Sequence, residues 1–471
     1  MEKLLNQRMI PILQALERHQ SLERTSVHVP GHKAGRGFDA EFAKYAGTIA
    51  RLDATELPGL DDLHQPHAAI AQAEALAAEA WGSDHAFFLV NGSTVGNLAA
   101  VLSVVAEGET AIVGRDAHQS VWHALALARA RVIAVTPARA GSLLGAVRAA
   151  DLEATMDAHP EAVAVVLTSP TYYGVVADLP RIVEAAHARG KLVIVDEAHG
   201  AHLAFHPSLP VSAVHAKADI VVHSAHKMTA ALTQTGILHV NGQAVNREAI
   251  RHYLRVLQTS SPSYLLLASI DAARAQLAAY GQELLGATLL ELETARSELA
   301  RTWHGLVNSD FGGFATDPFK WTIESEEWGI QGDQLAMRLS EQGAYVELYD
   351  PARVLLAWSY ANSGKDVARV VAVIRREFAG KTRVVAASSG GWDAMLPRFA
   401  EVAPASRGFG KTHWRDLDGL AGQRAVRGIT LYPPGIPLLL ADEVYTPNMI
   451  QYIKKCAELG LRLDGFDVEG R

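Results

Sequence analysis

Between residues 67 and 245 the chain alternates short, nearly all-apolar runs with helical patterns, and this alternation limits the fold more than any other feature. The runs are 86-AFFLV-90, 111-AIV-113, 132-VIAVT-136, 163-VAVVLT-168, 191-KLVIVD-196, 219-DIVVH-223 and 237-ILHV-240. A strand that is apolar throughout, not only at alternate positions, is buried on both faces. With helical stretches such as 67–81 and 179–190 between them, the runs predict an α/β fold on a mostly parallel, seven-stranded sheet. In such sheets ligands bind beyond the carboxyl ends of the strands. A long helix is expected over about 264–302. A smaller α+β domain follows, with strands at 319–325, 344–350 and 353–359 and helices at 332–343 and 365–379. The stretch 383–415, rich in Gly, Ser, Pro and Trp, carries no assignable pattern. The expected division is an N-terminal segment 1–66, a large domain 67–302 and a C-terminal α+β domain 303–471.

At 471 residues the chain is too long for one simple core. Its 49% hydrophobic and 20% charged residues describe a compact globular protein. A formal net charge of −8 without a basic tract argues against a nucleic-acid partner. The single cysteine, Cys456, rules out an internal disulfide, reads as a buried residue of a C-terminal helix, and fits a reducing cytoplasm. Leu5, Met9, Ile12, Leu13 and Leu16 form a helical stripe that packs on something, a second subunit being one option. The N-terminus lacks the features of a secretory signal, and no apolar run spans a bilayer.

Four strand-end loops carry residues with chemistry. In 91-NGSTVGNLAA-100, Gly92, Ser93 and Thr94 open a helix directly after a strand. Free backbone N–H groups and two hydroxyls there make either a phosphate site or a plain cap. In 196-DEAHGAHL-203, Asp196 ends a strand. Its carboxylate suits a protonated ring nitrogen, a metal site with His199 and His202, or a structural cap. In 115-RDAHQS-120, His118 can stack on a ring, bind a metal, or serve structurally. In 218-ADIVVHSAHKMTAALTQTG-236, Ser224 and His226 can hold an anion and Lys227 supplies a primary amine. A lysine ending an apolar run is costly unless its charge is paired or lost. Together the four loops match the parts of a pyridoxal-phosphate site, with Lys227 forming the Schiff base and Asp196 keeping the pyridine nitrogen protonated.

The same residues carry a resemblance. HVPGHKAG (28–35), DATELPGLDDLHQP (53–66), FFLVNGSTVGNLA (87–99), TSPTYYGVVADL (168–179), VDEAHGAHLAFHPSLP (195–210), HSAHKMTAALTQTGILHV (223–240), QTSSPSYLLLASIDAAR (258–274) and YPPGIPLL (432–439) are similar, in order, to the bacterial ornithine/lysine/arginine decarboxylases. The length resembles the short members, which lack an N-terminal receiver-like wing domain. The resemblance implies the aspartate-aminotransferase-like fold (fold type I), a pyridoxal 5′-phosphate cofactor, decarboxylation of arginine, lysine or ornithine, a homodimer or dimer of dimers, and a place in polyamine synthesis. Under it, Lys227, His226, Asp196 and His118 are the catalytic set, and Gly92, Ser93, Thr94, Ala198, His199, Ser224 and Thr259 complete the cofactor site. Thr259 resembles the residue that reaches the neighbouring subunit's phosphate, so a complete site would need two chains. Glu443 and Tyr172 are the substrate-side candidates, with Tyr173 beside them.

The chain departs from that pattern in places. The family's Pro-Gly-Glu reads Ala441-Asp442-Glu443, which puts the aim of Glu443 in question. Pro66-His67-Ala68 replaces Pro-x-Gly, and Arg424 and Arg427 stand before the YPPGIP segment, where a pocket-facing cation would suit an anionic group. His28, His32 and Lys33 read as a structured entrance loop. An aminotransferase, a carbon–carbon lyase, a non-catalytic homologue and a zinc hydrolase are the alternatives.

Overall fold

The structure, a computed structural model, describes residues 6–22, 25–47, 49–140, 143–308, 311–384, 399–403 and 411–467. The chain forms two compact units. The first comprises Met1–Ser103, Glu197–Pro207 and Val211–Gln282; the second comprises Val104–Asp196, Ser208–Pro210 and Glu283–Arg471.

The seven apolar runs all form strands: β1 (His85–Leu89), β2 (Thr110–Gly114), β3 (Arg131–Val135), β4 (Ala162–Thr168), β5 (Leu192–Asp196), β6 (Ile220–His223) and β7 (Gly236–Val240). The C-terminal part adds β8 (Lys320–Ile323), β9 (Leu348–Tyr349), β10 (Val354–Ala357), β11 (Phe399–Val402), β12 (Ile429–Tyr432), β13 (Ile436–Leu439) and β14 (Arg462–Asp464). In the first unit β7 pairs antiparallel with both β1 and β6. In the second unit β2 runs parallel to β3 and β4, and β4 runs parallel to β5. Burial on both faces explains the composition: every residue of β2, β6 and β7 is buried. Strand β11 lies within the stretch that carried no pattern and pairs antiparallel with β3. Most of that stretch, 385–398 and 404–410, is outside the described residues.

The helix Gly92–Val104 follows β1, Gln119–Leu127 follows β2, and Tyr264–Thr302 runs 39 residues through two glycines. The N-terminal helix Pro11–Gln20 buries Ile12, Ala15 and Leu16, and the Ile12 amide donates to Asp271 at 3.2 Å. Within its own unit the stripe buries Ile12 and Leu16 and leaves Met9 and Leu13 half-buried; Leu5 lies outside the described residues. In the second unit β10 pairs with β8 and β9, and β12 with β13 and β14. The strand expected over 344–350 shortens to Leu348–Tyr349 because Tyr345, 85% exposed, has no layer to pack on. Cys456 sits in the helix Pro447–Glu458 among Ile429, Leu439 and Ile453, where burial pushes its thiol up to about 12. No helix among the described residues is long and apolar enough to cross a membrane.

Candidate active site

In the first unit β6 ends at His223, and Ser224 begins the single-turn helix Ala225–Met228. Three residues on, Lys227 points its amine to within 3.2 Å of His199 Nε2. Ser224 Oγ donates to Ser93 Oγ at 2.6 Å, so two sequence-distant loops meet through their hydroxyls. The helix behind Ser93 starts at Gly92, whose φ of +74° favours glycine and whose amide donates to Gln234 O at 2.8 Å. The N–H groups of the first turn that follow have no partner inside the helix. Gly236 backs this corner: a Cβ there would stand 2.8 Å from His223 O and 3.3 Å from Ser93 N. The missing side chain is what lets the Ser93 amide come close.

His226 is half-buried and its Nδ1 lies 2.9 Å from Thr235 O. A carbonyl only accepts, so Nδ1 carries the proton and Nε2 of the neutral ring offers a lone pair. Burial lowers the His226 pKa, and the Lys227 charge adds to this against the Thr235 bond. Ala198 is buried beside His199. Thr259 is exposed, with its amide 3.3 Å from Asn91 Oδ1 and its hydroxyl 3.2 Å from Ser261 Oγ. Asn91 thereby holds Thr259 beside the loop that opens at Gly92.

The second unit holds the other candidates. Asp196 ends β5 and is 3% exposed. Nearby, burial raises the Asp116 carboxyl to about 7, opposed by its own backbone bond and by Arg115 and reinforced by the Asp196 charge. His118 caps the helix Gln119–Leu127: Ser120 N donates to its Nδ1 at 3.2 Å, which leaves the proton of the neutral ring on Nε2. That Nε2 faces Gly435, where a Cβ would lie only 2.7 Å away. Gln119 N donates to Gly435 O at 2.8 Å, locking the YPPGIP loop to this histidine. The Tyr172 hydroxyl donates to Glu347 at 2.5 Å, and the Tyr173 hydroxyl is 3.5 Å from Asp350. Among the described residues no group of three His, Cys, Asp or Glu side chains is arranged to hold a metal.

Residues 10–302 match the family described as "Orn/Lys/Arg decarboxylase, major domain", and residues 397–470 match its C-terminal domain. The chain belongs to the Orn/Lys/Arg decarboxylase family. The arginine decarboxylase of Bacillus subtilis is 35% identical over 98% of this chain and 96% of its own length. That of Halalkalibacterium halodurans is 34% identical over the same shares. The crystal structure of the Francisella novicida lysine decarboxylase LdcF superposes with a TM-score of 0.77 at 20% identity, covering 98% of this chain and 80% of that one. An Orn/Lys/Arg decarboxylase with this fold is a fold type I α/β protein with a C-terminal domain, as its sequence predicted.

Two features of this family member escape a reading of its sequence. Glu443 is held by a buried arginine: Arg115 Nε and Nη2 each donate to it at 2.7 Å, and Leu440 N adds a third bond. Asp442 stands at φ +66°, in the left-handed region that favours glycine, and the turn it makes carries Glu443 to Arg115. The second feature is Glu197, which accepts from Ala213 N at 2.7 Å and lies 2.7 Å from His223 Nε2. Both side chains are fully buried. The pair ties the segment carrying Ala198 and His199 to the strand end carrying Ser224 and Lys227. An acidic residue directly after Asp196 was its only signal. Arg424 is exposed, forms an antiparallel bridge with Val444 and donates to Asp442 O at 2.7 Å, and His32 bonds Asp53 at 3.0 Å.

Proposed function

We propose that this chain decarboxylates a basic amino acid, arginine before lysine or ornithine, to the amine and carbon dioxide, with pyridoxal 5′-phosphate as cofactor. One observation carries the reading: a lysine amine beside His199, on the same turn as a serine whose hydroxyl meets that of Ser93 at an open helix start. Two hydroxyls 2.6 Å apart, unpaired first-turn amides and the side-chain-free corner at Gly236 are a donor set for a phosphate, so the residues fit the group.

When bound, pyridoxal phosphate supplies a ring that takes up the electron pair left at Cα as carbon dioxide departs. Ser93, Thr94, Ser224 and the amides after Gly92 would hold the phosphate. Asp196 would hold the proton on the ring nitrogen, and His118 and Ala198 would line the ring. Lys227 would anchor the cofactor through its amine and later, with His226, return a proton to Cα. The neutral His226 would first take a proton at its Nε2 lone pair, from the Lys227 ammonium or from water, and then pass it to Cα; its lowered pKa makes the charged ring a ready donor. His199, against the Lys227 amine, would orient it. Thr259 would reach the phosphate of a second subunit in a homodimer, and the enzyme would work in the cytoplasm.

The test is carbon dioxide release from arginine, lysine and ornithine, each alone, by the wild type and by Lys227→Ala with added pyridoxal phosphate. Release from arginine, reduced more than about 100-fold in the variant, is expected. A protein that binds the cofactor and releases carbon dioxide from none of the three refutes the reading.

A further inference from the structure

We infer that Glu197, acting through His223, is a positioning residue: the pair holds His199 against the Lys227 amine and so sets how readily that amine captures the cofactor. The inference rests on the proposed role of Lys227, not on which amino acid is the substrate. In the capture the amine nitrogen bonds the aldehyde carbon, and the aldehyde oxygen leaves as water with the two amine protons. Only the neutral amine attacks, so a proton acceptor within hydrogen-bond reach, itself held by a third group, makes a lysine reactive. His199 Nε2 is such an acceptor, 3.2 Å from the Lys227 amine. The two residues stand 28 positions apart on different segments, so their contact depends on what fixes one segment to the other.

The fixing bond is buried in the first unit. Glu197 stands two residues before His199, and His223 stands four before Lys227. Glu197 Oε2 lies 2.7 Å from His223 Nε2, and its Oε1 accepts from Ala213 N at 2.7 Å. A carboxylate only accepts, so Nε2 carries a proton. Among the described residues the other ring nitrogen, Nδ1, has no hydrogen-bond partner, so the bond to Glu197 alone orients the ring. Both side chains are fully buried. The ring of His239 stands edge-on to His223 with centroids 4.8 Å apart, and Trp81 lies 5.4 and 6.0 Å from the two rings. Burial, and after it the charge of His223, hold His239 well below the ordinary histidine range, so this neighbour stays neutral. With water shut out, the Glu197–His223 bond is stronger than the same bond at a surface. Trp81 Nε1 donates to Ala201 O at 2.8 Å and pins the same segment two residues beyond His199. On the other side, His223 O faces Gly236 at the corner where Ser93 N approaches. The pair therefore reaches the reacting amine through backbone that it holds on both sides.

The experiment strips the full-length chain of cofactor, adds pyridoxal phosphate back and follows its capture by stopped-flow absorbance. Borohydride trapping and peptide mass spectrometry locate it on Lys227, and the melting of each stripped protein is recorded alongside. The wild type is compared with Glu197→Gln, His223→Leu and His223→Gln, the last of which keeps an N–H donor near the place of Nε2. Ile250→Val, a buried change elsewhere in the same unit, controls for lost stability. Capture should slow about tenfold or more in Glu197→Gln and His223→Leu. It should stay close to the wild type in His223→Gln and Ile250→Val. Where one of the two disruptive variants does not fold, the other is read against His223→Gln. Capture at the wild-type rate in Glu197→Gln overturns the inference. So does a loss in His223→Gln equal to that in His223→Leu, or a loss of the same size in Ile250→Val. Absence of capture at Lys227 in the wild type overturns it as well. Capture at Lys227 without carbon dioxide release from arginine, lysine or ornithine removes the decarboxylase reading, while slowed capture in Glu197→Gln still upholds the positioning role.

Discussion

Glu74 shows how far a single buried group can govern stability. It sits in the first unit with its carboxyl accepting from Phe88 N at 3.0 Å, in a small cavity shared with His64, Arg251 and Gln258. Burial raises its pKa from 4.5 to about 8, against the Phe88 bond and the Arg251 charge. In the unfolded chain the proton leaves near 4.5; in the folded chain it stays until about 8. Between those values the folded state binds more protons, so this group's contribution is complete below pH 4.5 and is lost as pH rises through 8. Glu74→Gln keeps the shape and removes the titration. Its melting temperature should fall less than that of the wild type between pH 6 and 9, with the gap widest at the alkaline end (differential scanning calorimetry at stepped pH). Parallel curves would show that Glu74 is not the group responsible.

At the scale of elements, the turn at Ala441-Asp442-Glu443 is the informative case. Asp442 holds φ +66° and its amide donates to Ala425 O at 2.7 Å. Aspartate tolerates the left-handed region; a β-branched residue does not. Asp442→Val should cost about 1–2 kcal/mol in urea denaturation, and Asp442→Gly should cost nothing or stabilise slightly. An equal loss in both would mean that the Asp442 side chain, not its backbone, matters. The same turn marks what was legible in the sequence. That a glutamate follows the YPPGIPLL segment can be read directly. That it faces Arg115 cannot, because the partner stands 328 positions away and no local pattern encodes the pairing. The seven main strands were legible for the opposite reason: double-sided burial writes itself into consecutive residues, as in 219-DIVVH-223. Strand β11, with alanine and glutamate at its centre, pairs by backbone at a sheet edge and leaves no such trace. Lys227 was legible because a cation after an apolar strand needs a reason. His223, at the end of the same strand, hid its buried bond to Glu197 among ordinary strand-end polarity.

On the scale of the whole molecule, neither unit is one continuous stretch, since the chain passes from one to the other after Ser103, Asp196, Pro207, Pro210 and Gln282. Within the second unit, Arg115 is the link with the longest reach along the sequence. It leaves the end of β2, donates to Pro437 O at 2.7 Å and Leu438 O at 3.3 Å, and closes on Glu443 with two further bonds. Four bonds from one buried guanidinium thus hold the strand β13 and its following turn to the central parallel strands. The same segment carries Gly435, which packs on His118, so the pair also sets the position of a proposed cofactor-lining residue. Removing one partner of such a pair leaves a charge stranded, at a cost of about 3–5 kcal/mol, whereas removing both costs less than the sum. Glu443→Ala and Arg115→Ala should therefore each lower the urea midpoint markedly, and the double variant should recover part of the loss. In Glu443→Ala the cofactor absorbance should also change, because the loop against His118 is no longer held. If the two single losses simply add in the double variant, the pair is not coupled, and Glu443 regains its claim on the substrate's cation.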